Sequence, residues 1–140
     1  MTSIQVADDT FVAADPVSAA DVVGDRTRWR RWWPDLHLEV VEDRAAAGVR
    51  WRVSGPIDGT MEIWCEPVLD GFVLHYFLHA EPAASVVGGG RSDRERADLL
   101  AELNRQRRVA GKVMAFECKD VLEDGRGVGE PAAASGRTGA

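Results

Sequence analysis

The 140 residues carry 23 acidic against 17 basic side chains, a net charge of −6, with 45% hydrophobic and 29% charged residues. Such a chain is long enough for one domain with its own core, and its acidity argues against generic binding to nucleic acid or to an anionic membrane. Two cysteines, Cys65 and Cys118, are too few for a disulfide framework or a zinc site and read as small buried hydrophobes.

The first residues, MTSIQVADDT, contain neither a basic nor an apolar leader region, and no run approaches the ~18 apolar residues of a membrane span. A cytoplasmic address without membrane insertion is expected. Ile4 to Val12 reads as a first strand, its phase blurred by Asp8-Asp9. Asp15-Pro16 is a helix start, a side-chain cap followed by the residue pre-set for the first helical position. That short helix, Val17 to Val23, ends at Gly24. Asp25 caps a second one that Pro34 stops after Trp33.

The second helix holds the densest motif, RTRWRRWWPDL. Trp29, Trp32 and Trp33 lie at i, i+3 and i+4 and share one helical face. Aromatics interleaved with arginines suit single-stranded nucleic acid or a membrane interface. The segment is short and the chain acidic, so the expectation is a ring cluster that plugs one end of the core, with solvated arginines.

Leu36 to Glu42 and Val49 to Val53 alternate as strands. Leu38 and Val40 share one face of the first, and Val49, Trp51 and Val53 one face of the second. The richest stretch is Thr60 to Ala80, TMEIWCEPVLDGFVLHYFLHA. With Asp70-Gly71 as a two-residue hairpin turn, Cys65 faces Tyr76, Ile63 faces Leu78, Glu66 faces His75 and Glu62 faces His79. One face then carries Met61, Ile63, Cys65, Leu74, Tyr76 and Leu78. The other carries both histidines, read with His37 as surface residues without a catalytic or metal role. Keeping Trp51 and Val53 on the face of Ile63 and Cys65 requires an odd residue count or a bulge at Pro56-Ile57-Asp58-Gly59.

After a glycine-rich loop, Ser92 and Glu95 form a capping box, and a helix follows to about Leu122. Its apolar stripe is Leu99, Leu100, Leu103, Ala110, Met114, Cys118 and Val121, with Gly111 at the border. Arg107 falls inside the stripe; it either faces an interior cavity or, the favoured placement, snorkels to the surface. Val109, Val113 and Phe116 form a second stripe, read as a contact for a second copy in a homodimer or for the N-terminal segment. The domain spans residues 1–123, and 124–140 lacks core-forming residues and reads as a disordered tail.

This order of strand, two short helices, antiparallel meander and long C-terminal helix is an α+β pattern. It resembles the helix-grip fold of the START-like superfamily, and within it actinobacterial members of the polyketide cyclase/dehydrase and lipid-transport family. The likeness rests on WRRWWPDL (Trp29 to Leu36), GVRWRVSGPIDGTMEIWCEPVLDGFVLHYFLHAEP (Gly48 to Pro82) and KDVLE (Lys119 to Glu123). It implies a curved sheet gripping the C-terminal helix, with a cavity between them for a lipid, polyketide, quinone or other apolar molecule. It supplies no catalytic residues.

The expected ligand-lining residues are Leu38, Trp51, Val53, Ile63, Cys65, Leu74, Tyr76 and Leu78 from the sheet and Leu103, Arg107, Ala110 and Met114 from the helix. Tyr76 and Arg107 are the polar anchors. No cofactor or metal is expected, and the balance leans against catalysis because no acid–base pair faces inward. Two alternatives stay open: a cyclase-like enzyme, and an interaction module built on Trp64, Val73 and Phe77 of the outer sheet face.

Overall fold

Alternating side chains separated by turn residues give the antiparallel strands β1 (Ile4–Val12), β2 (His37–Asp43), β3 (Gly48–Ser54), β4 (Ile57–Val68) and β5 (Gly71–Pro82). The structure, a computed structural model, describes residues 3–124, so the tail expected from 124 onward lies, past Asp124, outside them. The strands form one sheet in the order β1-β5-β4-β3-β2. Between the two edges run a 3-10 turn (Pro16–Ala19), α1 (Ala20–Val23) and α2 (Arg26–Trp32). A short α3 (Ala84–Val87), where the sequence reads as loop, precedes α4 (Asp93–Leu122).

The caps form as read. Asp15 accepts from the Val17 N–H at 3.0 Å, and Asp25 from the Thr27 N–H at 2.9 Å. Ser92 and Glu95 exchange both bonds of the capping box at 3.1 Å. Each cap is worth about 1 kcal/mol to its helix.

The hairpin of β4 and β5 keeps the expected faces but not the expected partners. The turn is Leu69-Asp70, with Val68 opposite Gly71, so Cys65 faces Leu74 and Ile63 faces Tyr76. Each pairing is displaced by two residues from an Asp70-Gly71 turn, and an even displacement leaves every side chain on its own face. The cause lies in β1. A Cβ on Gly71 would sit 2.2 Å from the Val12 carbonyl oxygen, so this glycine serves close strand approach and is not a turn residue. The positive φ, 56°, falls on Leu69 instead. Between β3 and β4 an odd number of residues, Ser54 to Asp58, separates the Val53–Gly59 pair, as the shared inner face requires.

Met61, Ile63, Cys65, Leu74, Tyr76, Leu78, Val49, Trp51 and Val53 are all buried on the inner face. α4 lies across it and buries Leu103, Arg107, Gly111, Met114, Ala115, Cys118 and Leu122. This stripe corrects the one read from hydrophobicity: Val121 is 41% exposed and Ala110 only partly buried. The small residues Gly111 and Ala115 turn inward because they allow the closest approach to the sheet.

The strained turn makes a simple prediction. A left-handed backbone costs a non-glycine residue about 1–2 kcal/mol, and glycine's extra freedom in the unfolded chain offsets about 0.5–1 kcal/mol of the relief. Leu69 is 95% exposed and has little packing to lose. Leu69→Gly is therefore expected to stabilise the fold by about 0.5–1 kcal/mol, read as a higher urea midpoint at unchanged slope. A lower midpoint would mean that the side chain, not the backbone, dominates there.

Candidate functional site

The end of α2 drives its rings into the grip. Pro34 stops the helix after the i, i+3, i+4 tryptophans, and Trp33, at the C-cap, is 1% exposed. Its ring lies flat against Tyr76, with centroids 6.2 Å apart and planes at 12°. Trp51 meets Trp33 at 5.4 Å and Trp29 at 5.0 Å, both edge-on. Such ring pairs add about 0.5–1.5 kcal/mol beyond their burial. All three tryptophans of the motif are buried, but Trp33 and Trp29 pack on Trp51 of β3 and Trp33 on Tyr76 of β5 rather than at one end of the core.

The same stretch delivers Asp35 to α4. Arg107, 6% exposed, donates to Asp35 Oδ2 at 2.6 Å and Oδ1 at 3.2 Å, a two-point pair that holds the Asp35 carboxyl below its ordinary range. Arg107 therefore does not snorkel; a carboxylate comes to meet it. Asp35 is itself 51% exposed, so one partner stays wet. Arg107's positive charge also opposes the effect of burial on Tyr76, whose hydroxyl is nonetheless pushed well up. The Tyr76 hydroxyl donates to Met61 Sδ at 3.3 Å.

The α2 arginines are not simply solvated. Arg31 donates to both oxygens of Glu117 at 2.5 and 2.8 Å, and Arg28 adds a bond at 2.6 Å. The two guanidiniums, Arg31 foremost, lower the Glu117 carboxyl to about 2 against the opposing effect of burial. Burial pushes the Cys65 and Cys118 thiols up to about 12, so both stay protonated; both are free.

The twelve residues read as ligand-lining meet in one interior. Trp51, Val53, Ile63, Cys65, Leu74, Tyr76 and Leu78 form its sheet wall, and Leu103, Arg107 and Met114 its helix wall. Leu38 and Ala110 are partly buried against this core. A cleft of about 300 Å³ opens beside it, between α2 and the start of β2, lined by Arg26, Trp29, Arg30, Trp33, Leu36, His37 and Leu38. Trp33 thus belongs to both the interior and the cleft. The sequence reading missed Trp33 in this double place and Asp35 as the partner of Arg107. A polar residue straight after a proline stop was the available signal for Asp35.

The histidines sit on the outer face, although their glutamates are not both partners. His75 contacts Glu66 diagonally at 3.0 Å and stacks between Trp64 and Phe77, with centroids at 4.6 and 6.1 Å. Glu62 instead accepts from Arg44 at 2.6 Å. Among the described residues no cluster of three or more metal-ligating side chains occurs, and no helix is long and apolar enough to cross a membrane.

Two measurements check these contacts. Alanine favours helix over glycine by about 1 kcal/mol, yet a Cβ on Gly111 would lie 2.7 Å from the Tyr76 ring. That ring is buried against Trp33, and overpacking costs about 1–3 kcal/mol. Gly111→Ala should lower the melting temperature; a rise would mean that the ring has room to yield. For Glu117, the folded form holds the proton less tightly than the ordinary value of 4.5, down to about 2. Its stabilisation is complete above pH 4.5 and is lost as pH falls from there towards 2. Glu117→Gln should flatten the fall in urea midpoint over that window, and an unchanged slope would remove Glu117 from the acid response.

No protein-family model matches the chain, and no curated protein matches it. Among solved structures it is similar to the Aha1 dimer from Colwellia psychrerythraea, with TM-score 0.55 and 14% identity over 89% of this chain and 99% of that one. It is also similar to the di-domain ARO/CYC StfQ from the steffimycin biosynthetic pathway, with TM-score 0.53 and 16% identity over 83% of this chain and 50% of that one. Likeness at such identities is one of architecture. With its curved antiparallel sheet closed around a long C-terminal helix, the chain has the START-like helix-grip fold.

Proposed function

We propose that the chain binds an apolar small molecule, a lipid, polyketide or quinone-like compound, between the sheet and α4. The observation that carries this reading is a pair of polar donors in an apolar wall. Arg107 Nε and Trp51 Nε1 are buried with no hydrogen-bond partner among the described residues. An unpaired buried donor costs about 1–3 kcal/mol, and a ligand carbonyl or phenolate oxygen would satisfy it. Binding pockets are commonly apolar with a few such anchors. Rotation of the Trp33 side chain, which lies in both places, would join the cleft to the interior. Arg26, Arg30 and His37 at the cleft would favour a ligand with an acidic head. The likeness of fold to the ARO/CYC StfQ from the steffimycin biosynthetic pathway supports the polyketide class among these by analogy alone.

Catalysis has less support. Tyr76, Cys65 and Cys118 are the interior groups with a transferable proton, and burial keeps all three protonated. The outer-face interaction module is weakened too, because His75 fills the space between Trp64 and Phe77.

Two dyes test the binding reading: anilinonaphthalene sulfonate, apolar with an anionic group, and Nile red, apolar and neutral. Both should bind the native protein saturably at a temperature well below melting. Arg107→Met should weaken the sulfonate dye at least about fivefold while changing Nile red by less than about twofold, since the lost charge-assisted bond serves one dye alone. If the native protein takes up neither dye, the interior is a solid core and the reading fails.

A further inference from the structure

β1 is an edge strand, and α4 caps its free edge only at the two ends. In an antiparallel edge strand every second residue turns both its N–H and its C=O away from the sheet. In β1 these are the odd positions. The Gln5 N–H donates to Asn104 Oδ1 at 3.1 Å, and Asn104 Nδ2 donates back to the Ser3 carbonyl at 3.1 Å. At the other end Lys119 Nζ donates to the Phe11 carbonyl at 2.8 Å, and the Ala13 N–H donates to Glu123 Oε2 at 2.7 Å. By the same alternation Ala7 and Asp9 also point outward. No group among the described residues meets their main-chain donors and acceptors.

Hollows open on both sides of this uncapped stretch. On the α4 side a groove of about 440 Å³ runs between Val6–Asp8 and the helix, where Arg108 and Lys112 line it together with the apolar Val109, Val113 and Phe116. Those three are 49%, 57% and 52% exposed. On the outer sheet face a second hollow of about 220 Å³ lies over Ala7, Asp8, Asp9, His75 and Phe77. The two differ in charge. Asp8, which points inward, is paired with Lys112 at 2.9 Å, whereas Asp9 is exposed on the outer face and has no ion-pair partner among the described residues.

A strand laid along Ala7–Asp9 would complete the free main-chain bonds and send successive side chains alternately into the two hollows. The first hollow is mainly apolar and its charged margin is basic, Arg108 beside the Asp8–Lys112 pair, whereas the second offers the unneutralised carboxylate of Asp9. We propose that the β1 edge docks an extended segment of a partner protein in which apolar residues alternate with basic ones. A second copy of this chain does not fit: antiparallel self-pairing centred on this stretch sets Asp8 opposite Asp8 and Asp9 opposite Ala7, so like charges meet on one face and Asp9 gains no counter-charge on the other.

The probe is a fluorescein-labelled peptide, Thr-Lys-Val-Lys-Val-Lys-Thr, with a glutamate-for-lysine version as control, added to the full chain. The lysine peptide should bind saturably and slow hydrogen exchange of the Ala7 and Asp9 amides, and the glutamate peptide should not. Ala7→Pro removes an N–H that points away from β5, and Val113→Asp charges the apolar groove. Each should weaken binding at least about tenfold. Val113 lies on an exposed helix face, so its variant carries the test if the proline variant does not fold. Equal binding by Val113→Asp, or binding without slowed exchange at Ala7 and Asp9, would overturn the proposal. So would failure of the lysine peptide to bind. Protection of those amides that grows with protein concentration alone would overturn it in favour of self-pairing.

Discussion

Three rings from distant parts of the chain, Trp33 after α2, Trp51 on β3 and Tyr76 on β5, meet in the middle of the grip, and α4 can lie over them because position 111 has no side chain. Remove that clearance and the helix has to lift. Lift the helix, and Arg107 and Met114 lose the sheet they face. The contact therefore couples the two halves of the fold: the strands set the floor, Trp33 sets the filling, and the helix closes only as far as the filling allows. An approach this close responds to a single methyl group.

Charge pairs then fix where α2 and the loop after it sit on α4. Arg28 and Arg31 hold Glu117 on one side, and Asp35 holds Arg107 a few turns away. The two pairs differ in kind. Glu117 is largely shielded and bound by two guanidiniums, so it behaves as a structural fastener. Asp35 is half in water while its arginine is buried, so the pair can open without leaving the carboxylate unsolvated. The cost of opening would fall on Arg107, a buried cation left without its carboxylate.

Parity explains how much was legible in the sequence. Which face a strand residue takes depends only on odd or even position, so Cys65, Leu74, Tyr76 and Trp51 were placed correctly although the hairpin partners were off by two. The exact register was not legible, because the Asp-Gly signal presumes that glycine is used for its φ. Here Gly71 is used for clearance against Val12, a contact with a strand 59 positions earlier that no local pattern reports. The helix stripe failed for a related reason. Hydrophobicity ranks Val121 above Gly111, but closeness of approach ranks them the other way. Asp35 and Arg107 lie 72 residues apart, and nothing local links them.

Interior and edge also differ in what they ask of a partner. The interior is walled by apolar side chains with isolated donors, so recognition there would come from shape and one or two oxygen atoms. At the β1 edge the free groups are main-chain ones, which read extension and direction rather than side-chain identity, and Asp9 supplies the sign of charge. α4 takes part in both through adjacent faces: Met114 looks inward while Val113 borders the groove. Neighbouring positions on one rigid helix thus serve two surfaces. Any rearrangement that rocked α4 to admit a ligand would also change the width of the groove beside β1, because the Asp8–Lys112 pair ties the helix to that strand.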